Sequence, residues 1–182
     1  MTVYRRFGAL RNIAFSIKRA GAVNEVPMNK RTTLLIFLLA FFVRITTGWN
    51  AFADPMVAWS QDGVGYHQLA AALTHGQFPS LFRTPGYPLF LALTGATSPD
   101  HIGLALIVQM LLDAATAVLL ALLVERLFQL RYAAMLTGIV YALCPVMARL
   151  CSYVLSETLA VFFVVAAFYL GFATRARWSL GL

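Results

Sequence analysis

Residues 102–123 read IGLALIVQMLLDAATAVLLALL, and the fold turns on how that stretch is understood. Asp113 is its one charge, and the rest is apolar apart from Gln109, Thr116 and the small Gly103. As a helix rising about 1.5 Å per residue it is about 33 Å long, enough for a hydrocarbon core of about 30 Å. A core helix of a soluble domain needs only about 10–14 such residues, so the stretch reads as a membrane span.

Working outward, residues 32–49, 132–150 and 154–173 have the same character. A further apolar run, 87–96, is too short to cross and reads as an interfacial or re-entrant helix. Composition agrees: 60% of the residues are hydrophobic and 12% charged, with a mean hydropathy of +0.76, far from the balance of a soluble domain. The expected fold is therefore all-α: a polytopic membrane protein with about four transmembrane helices. A formal charge of +7 would suit nucleic acid only on the basic face of a soluble fold. Here the basic residues flank apolar runs, so the expected partner is the lipid bilayer and not nucleic acid.

Orientation follows from the Lys and Arg positions. With the amino terminus in the cytoplasm, Arg5, Arg6, Arg11, Lys18, Arg19, Lys30, Arg31, Arg126, Arg131, Arg175 and Arg177 lie inside, and only Arg83 and Arg149 lie outside. Residues 1–31 form a basic cytoplasmic arm, in which Phe7, Leu10, Ala14 and Ile17 share one face of an amphipathic helix suited to the inner leaflet. Met28 is an alternative start. The long loop 51–101 then faces the periplasm or exterior, with short helices at the membrane surface. Ala51-Phe52-Ala53 after an apolar run resembles a signal cleavage site. However, Arg44 interrupts that run, which exceeds the roughly 7–15 residues of a signal core.

Within the loop, Tyr66, Leu69, Ala70 and Leu73 recur at helical spacing, and Gly76 stands where a left-handed terminating residue belongs. Asp62 precedes this helix, where a carboxylate either caps the free backbone N–H groups or acts as a general base on a hydroxyl. Thr84-Pro85 opens a second helix, proline needing no donor at its first position. Arg83 offers a planar fork to phosphate or anchors in lipid headgroups. His67 and His75 are eight apart, not at the spacing of a helical zinc pair, and no thiolate is nearby. No cofactor is called for, and a divalent metal is not indicated.

The run from Asp62 through Gly63-Val64-Gly65-Tyr66-His67-Gln68-Leu69-Ala70, then Gly76 and Phe82-Arg83-Thr84-Pro85-Gly86-Tyr87-Pro88-Leu89-Phe90, resembles the first outer loop of the GT-C membrane glycosyltransferases. It is most like the bacterial glycosyltransferase 39 and RgtA/B/C/D-like group, relatives of the protein O-mannosyltransferases. The stretch Ser152-Tyr153-Val154-Leu155-Ser156-Glu157-Thr158-Leu159 is similar to the outer start of that family's fourth span. The resemblance covers only the amino-terminal part of enzymes with many more spans. It implies transfer of a sugar from a polyprenyl-phosphate donor to an acceptor hydroxyl outside the cytoplasm, in a bacterial inner membrane. Asp62 matches the acidic catalytic position. Arg83, Tyr66, His67 and Glu157 become candidates for donor or acceptor contact. Gly63 stands where several relatives carry a second acid, which argues against a metal bridged by adjacent carboxylates.

Two charges lie within spans. Arg44 is about 18 Å from the inner end of its helix and Asp113 about 16 Å from the outer end of the next. They therefore meet at nearly one depth in a core of about 30 Å, and a structural ion pair is expected. The same charges could mark an ion or substrate route, which keeps open a transporter or assembly subunit, beside an inactive remnant of the enzyme. Glu157 either lines the outer cavity, caps its helix or pairs with Arg149. Cys144 and Cys151 are about 10.5 Å apart along one helix, too far for a disulfide unless the helix ends between them, and buried packing is their expected role.

Overall fold

Asn29 lies just before the first apolar run, and its side chain accepts a hydrogen bond from the Thr32 N–H at 2.9 Å, satisfying a donor that no helical carbonyl can reach. Helix α1 accordingly runs Lys30–Ala53. The computed structural model describes residues 28–59, 61–77 and 84–178, and the regular structure among them is all helical. The amphipathic arm through Phe7, Leu10, Ala14 and Ile17 lies outside the described residues, as do Phe82 and Arg83.

A 3₁₀ turn at Pro55–Ala58 leads into α2, Gln61–Thr74. Asp62 stands inside the first turn of α2 rather than ahead of it, where its charge still complements the helix dipole. Gly76 ends the helix as expected: its φ is +70°, and the bonds from Gly76 N–H to Leu73 and from Gln77 N–H to Ala72 close a Schellman turn. Helix α3 runs Gly86–Leu93, one residue later than Thr84-Pro85 predicts, with no side-chain cap. After a 3₁₀ turn at Pro99–His101 comes the long α4, Gly103–Phe128.

Helix α4 is the axis of the fold and packs against α1 and the two later helices, α5 (Arg131–Ala142) and α7 (Glu157–Trp178). Ala114, Ala117 and Ala121 are buried on it at helical spacing, and small residues of this kind let neighbouring backbones approach closely. A Cβ at Gly138 of α5 would stand 3.1 Å from the Ala121 Cβ. The turn from α4 into α5 is tight because Gln129 takes the left-handed conformation, φ 56°.

Helices α1 and α4 are long and apolar enough to cross a membrane. Only 22% and 39% of their most apolar windows are buried, whereas the core helix of a soluble protein is mostly covered. Leu35, Phe42, Leu104 and Ile107 stand exposed on them, as do Leu136, Val140, Phe163 and Phe168 on α5 and α7, an outer surface suited to lipid.

The stretch 132–150 does not form the single span expected of it. Helix α5 stops at Ala142, and a short helix α6, Pro145–Leu150, follows at a break. Pro145 has no N–H to continue the ladder, and its ring would clash with the carbonyl four residues back. The carbonyls left at the end of α5 then need other donors, and α1 supplies them. Arg44 Nη1 donates to the Ala142 carbonyl at 2.5 Å, and Nη2 to that of Tyr141 at 3.2 Å. The last expected span begins at Glu157 rather than 154, and its apolar helical part is Glu157–Phe172.

Where α1 crosses α4, a Cβ on Gly48 would stand 2.4 Å from Met110 Cε and 2.7 Å from Ser152 Oγ. Met110 and Ser152 are both buried, so neither has open space to move into. We expect Gly48→Ala to lower stability by about 1–3 kcal/mol through overpacking. Gly103→Ala, where a new Cβ meets nothing within 4 Å, should cost nothing. Thermal or denaturant unfolding in detergent tests the ordering, and equal midpoints for the two variants would contradict it.

Candidate functional site

The loop helices are fastened to the segment that joins α6 to α7. Val154 N–H donates to the Ala58 carbonyl at 2.9 Å, one strand-like bond that aligns the two stretches. Gly63 then packs on the same segment: a Cβ there would lie 3.1 Å from the Val154 carbonyl and 3.2 Å from the Trp59 ring. The stripe read from the sequence faces inward, with Tyr66, Leu69 and Ala70 all buried. Tyr66 Oη lies 3.1 Å from Ser156 Oγ, at the residue just before α7.

Asp62 and Glu157 are both exposed, each in the first turn of its helix. Gly63 on Val154 and Tyr66 on Ser156 bring those two turns to the same end of the bundle. The expected pairing of Glu157 with Arg149 is not made among the described residues; Arg149 Nε donates instead to the Tyr153 hydroxyl at 3.2 Å. His67 packs edge-on against Trp59, ring centroids 5.3 Å apart. The buried His67 Nδ1 and Trp59 Nε1 have no hydrogen-bond partner. Arg83 lies outside the described residues.

Sequence reading missed two residues behind this surface. Tyr87 is buried on α3 with its ring edge-on to Tyr66 at 4.9 Å, and its hydroxyl donates to Gln109 Oε1 at 2.5 Å. Burial pushes the Tyr87 hydroxyl far above its ordinary pKa; the Leu155 amide opposes the shift, and Glu157 and Tyr66 add to it. The phenol thus stays a neutral donor. Gln109 had a sequence signal, since an amide within an apolar span must find partners, but nothing in the pattern named them.

Arg44 and Asp113 are brought together: Arg44 Nε meets Asp113 Oδ2 at 2.6 Å, the side chains 0% and 3% exposed. The Tyr141 hydroxyl donates to Asp113 Oδ1 at 2.7 Å, and the guanidinium lies 5.5 Å from the centre of the Tyr141 ring. Cys144 and Cys151 are free thiols. No three of His, Cys, Asp and Glu cluster as metal ligands among the described residues. His101 Nδ1 is hydrogen-bonded to Ser98 at 2.7 Å. An apolar hollow of about 350 Å³ lies farther along α7, lined by Ala167, Phe168, Gly171 and Phe172. Among the described residues its lining carries no polar side chain.

Over the described residues, fold and site define an all-helical protein with two membrane-length helices and a folded polar loop at one end of them. Comparison with known protein families, characterised proteins and solved structures finds no match.

Proposed function

We propose that the chain is a membrane glycosyltransferase of GT-C type that moves a sugar from a polyprenyl phosphate to an acceptor hydroxyl on the outer side of the membrane. In this reading α1, α4, α5 with α6, and α7 make four crossings, the basic ends stay in the cytoplasm, and the loop of α2 and α3 is exported. The supporting observation is the closure of α2 on the start of α7, which brings two exposed carboxylates, Asp62 and Glu157, to the same end of the bundle.

Asp62 is the general base. Its carboxylate takes the proton of the acceptor hydroxyl as that oxygen bonds to the anomeric carbon, and the bond from that carbon to the lipid phosphate breaks with its electron pair left on the phosphate. Arg83 balances the charge that develops there, and Tyr66, His67 and Glu157 shape the sugar and acceptor side. Arg44 and Asp113 give no support to a transport reading, because both are bonded within the bundle.

The deciding measurement is transfer from a panel of polyprenyl-phosphate hexoses and pentoses by the Asp62→Asn protein. Loss of transfer is expected, and survival removes the base. Export is tested separately. A cysteine replacing the exposed Val64, in a chain lacking Cys144 and Cys151, should react with a membrane-impermeant maleimide in intact cells. Reaction only after lysis would overturn the topology.

A further inference from the structure

Gln109 is fully buried in α4, where an amide offers two donors and an acceptor with no water to take them. All three functions are used, and each reaches another part of the chain. Oε1 accepts from Tyr87 on α3 at 2.5 Å. Nε2 donates to the Cys151 carbonyl at 3.2 Å and to the Tyr153 carbonyl at 3.0 Å, both in the segment between α6 and α7. That segment is not regular helix, so the Cys151 carbonyl relies on an outside donor, and the Tyr153 carbonyl, which also accepts from the Leu155 N–H at 2.9 Å, gains a second.

These bonds form part of a closed circuit. From Gln109 the path runs to Tyr87, through the ring contact to Tyr66, across the hydroxyl bond to Ser156, and back along the chain to Tyr153 and Gln109. Asp62 lies one helical turn before Tyr66 on α2, and Glu157 directly follows Ser156. One amide therefore ties both carboxylate-bearing turns to the most buried helix of the fold.

We propose that Gln109 is a positioning residue for the outer site: it sets α3 and the start of α7 in register against α4, and through them the spacing of Asp62 and Glu157. Leucine at this position keeps the volume but leaves the Tyr87 hydroxyl without an acceptor and the Cys151 carbonyl without the Nε2 donor, while the Tyr153 carbonyl keeps only the Leu155 N–H at 2.9 Å. Glutamate keeps the acceptor and loses both donors. The proposed catalytic role of Asp62 gives this positioning its purpose, but the geometry can be tested without it.

Two engineered cysteine pairs make that test in the full chain in membranes, with Cys144 and Cys151 removed. Gly63→Cys with Val154→Cys reports on the site, since a Cβ at Gly63 lies 3.2 Å from the Val154 Cβ. Gly138→Cys with Ala121→Cys is the control, with Cβ atoms 3.1 Å apart at the α4 and α5 contact. Adding Gln109→Leu should slow oxidation of the site pair by about tenfold or more and change the control pair by less than about twofold. Slowing of both pairs, or of neither, overturns the positioning role whether or not the chain transfers sugar. If Asp62-dependent transfer is found, the same variant should lower its kcat by about 10²-fold, and an unchanged kcat also overturns the role.

Discussion

Replacing Asp113 with leucine should lower stability by about 3–5 kcal/mol, because it leaves Arg44 as a buried charge without its counter-ion. Arg44 is held on every side: Nε by Asp113, Nη1 by the Ala40 and Ala142 carbonyls, and Nη2 by the Tyr141 carbonyl. It cannot turn to solvent without abandoning the end of α5. Arg44→Leu should cost a similar amount, by leaving Asp113 without its counter-ion and the Ala142 carbonyl without its donor, while the Tyr141 carbonyl keeps the Cys144 N–H. Removing both charges together should be milder than either single change, since no uncompensated charge remains. A deficit of about 1–3 kcal/mol should persist from the orphaned Ala142 carbonyl. Arg44→Lys should restore little, because one ammonium cannot serve a carboxylate and a helix end at once. Unfolding in detergent or mixed micelles gives all four values; additive single effects would mean that the pair and the cap do not act as one unit.

Asp62→Asn should leave the fold intact and lower the turnover number for sugar transfer by about 10²- to 10⁴-fold. Asparagine matches aspartate in size, and the charge–dipole interaction lost at an exposed first-turn position is worth no more than about 1 kcal/mol, so the substitution tests proton acceptance with the helix kept. The KM for the lipid donor should hardly change, because the lost interaction belongs to the transition state rather than to donor binding. Glu157→Gln should have a smaller effect, since the proposed mechanism gives the proton to Asp62 and not to Glu157. If Asp62 serves only its helix, both substitutions will be silent in rate. Equal large losses from both would make the two carboxylates a joint site and displace Asp62 as the sole base.

Much of this architecture was legible in the residues. The apolar runs that become α1 and α4, the helical stripe on α2 and its glycine stop are local patterns, set by periodicity and backbone conformation. The meeting of Arg44 and Asp113 was legible too, because rise per residue fixes depth along a helix and two opposed charges at one depth pair in a low-dielectric surrounding. The break in the stretch 132–150 was only half legible. Pro145 was in plain view, but a proline in an apolar run can kink a helix or end it. The outcome depended on a donor arriving from 98 positions away.

The outer site divides in the same way. Residue pattern by itself determined that a polar loop with two short helices should stand beside the long apolar helices, and it singled out Asp62 and Tyr66, because helix starts and amphipathic faces are encoded in neighbours a few positions apart. Tertiary structure alone decided that α2 closes on the start of α7, that Tyr87 and Gln109 lie behind it, and that Arg149 turns to Tyr153 rather than Glu157. The physical reason is that Gln109 and Arg44 bind backbone carbonyls of distant segments. Every residue carries such a carbonyl, so only the folded path of the chain selects which ones are left waiting for a donor.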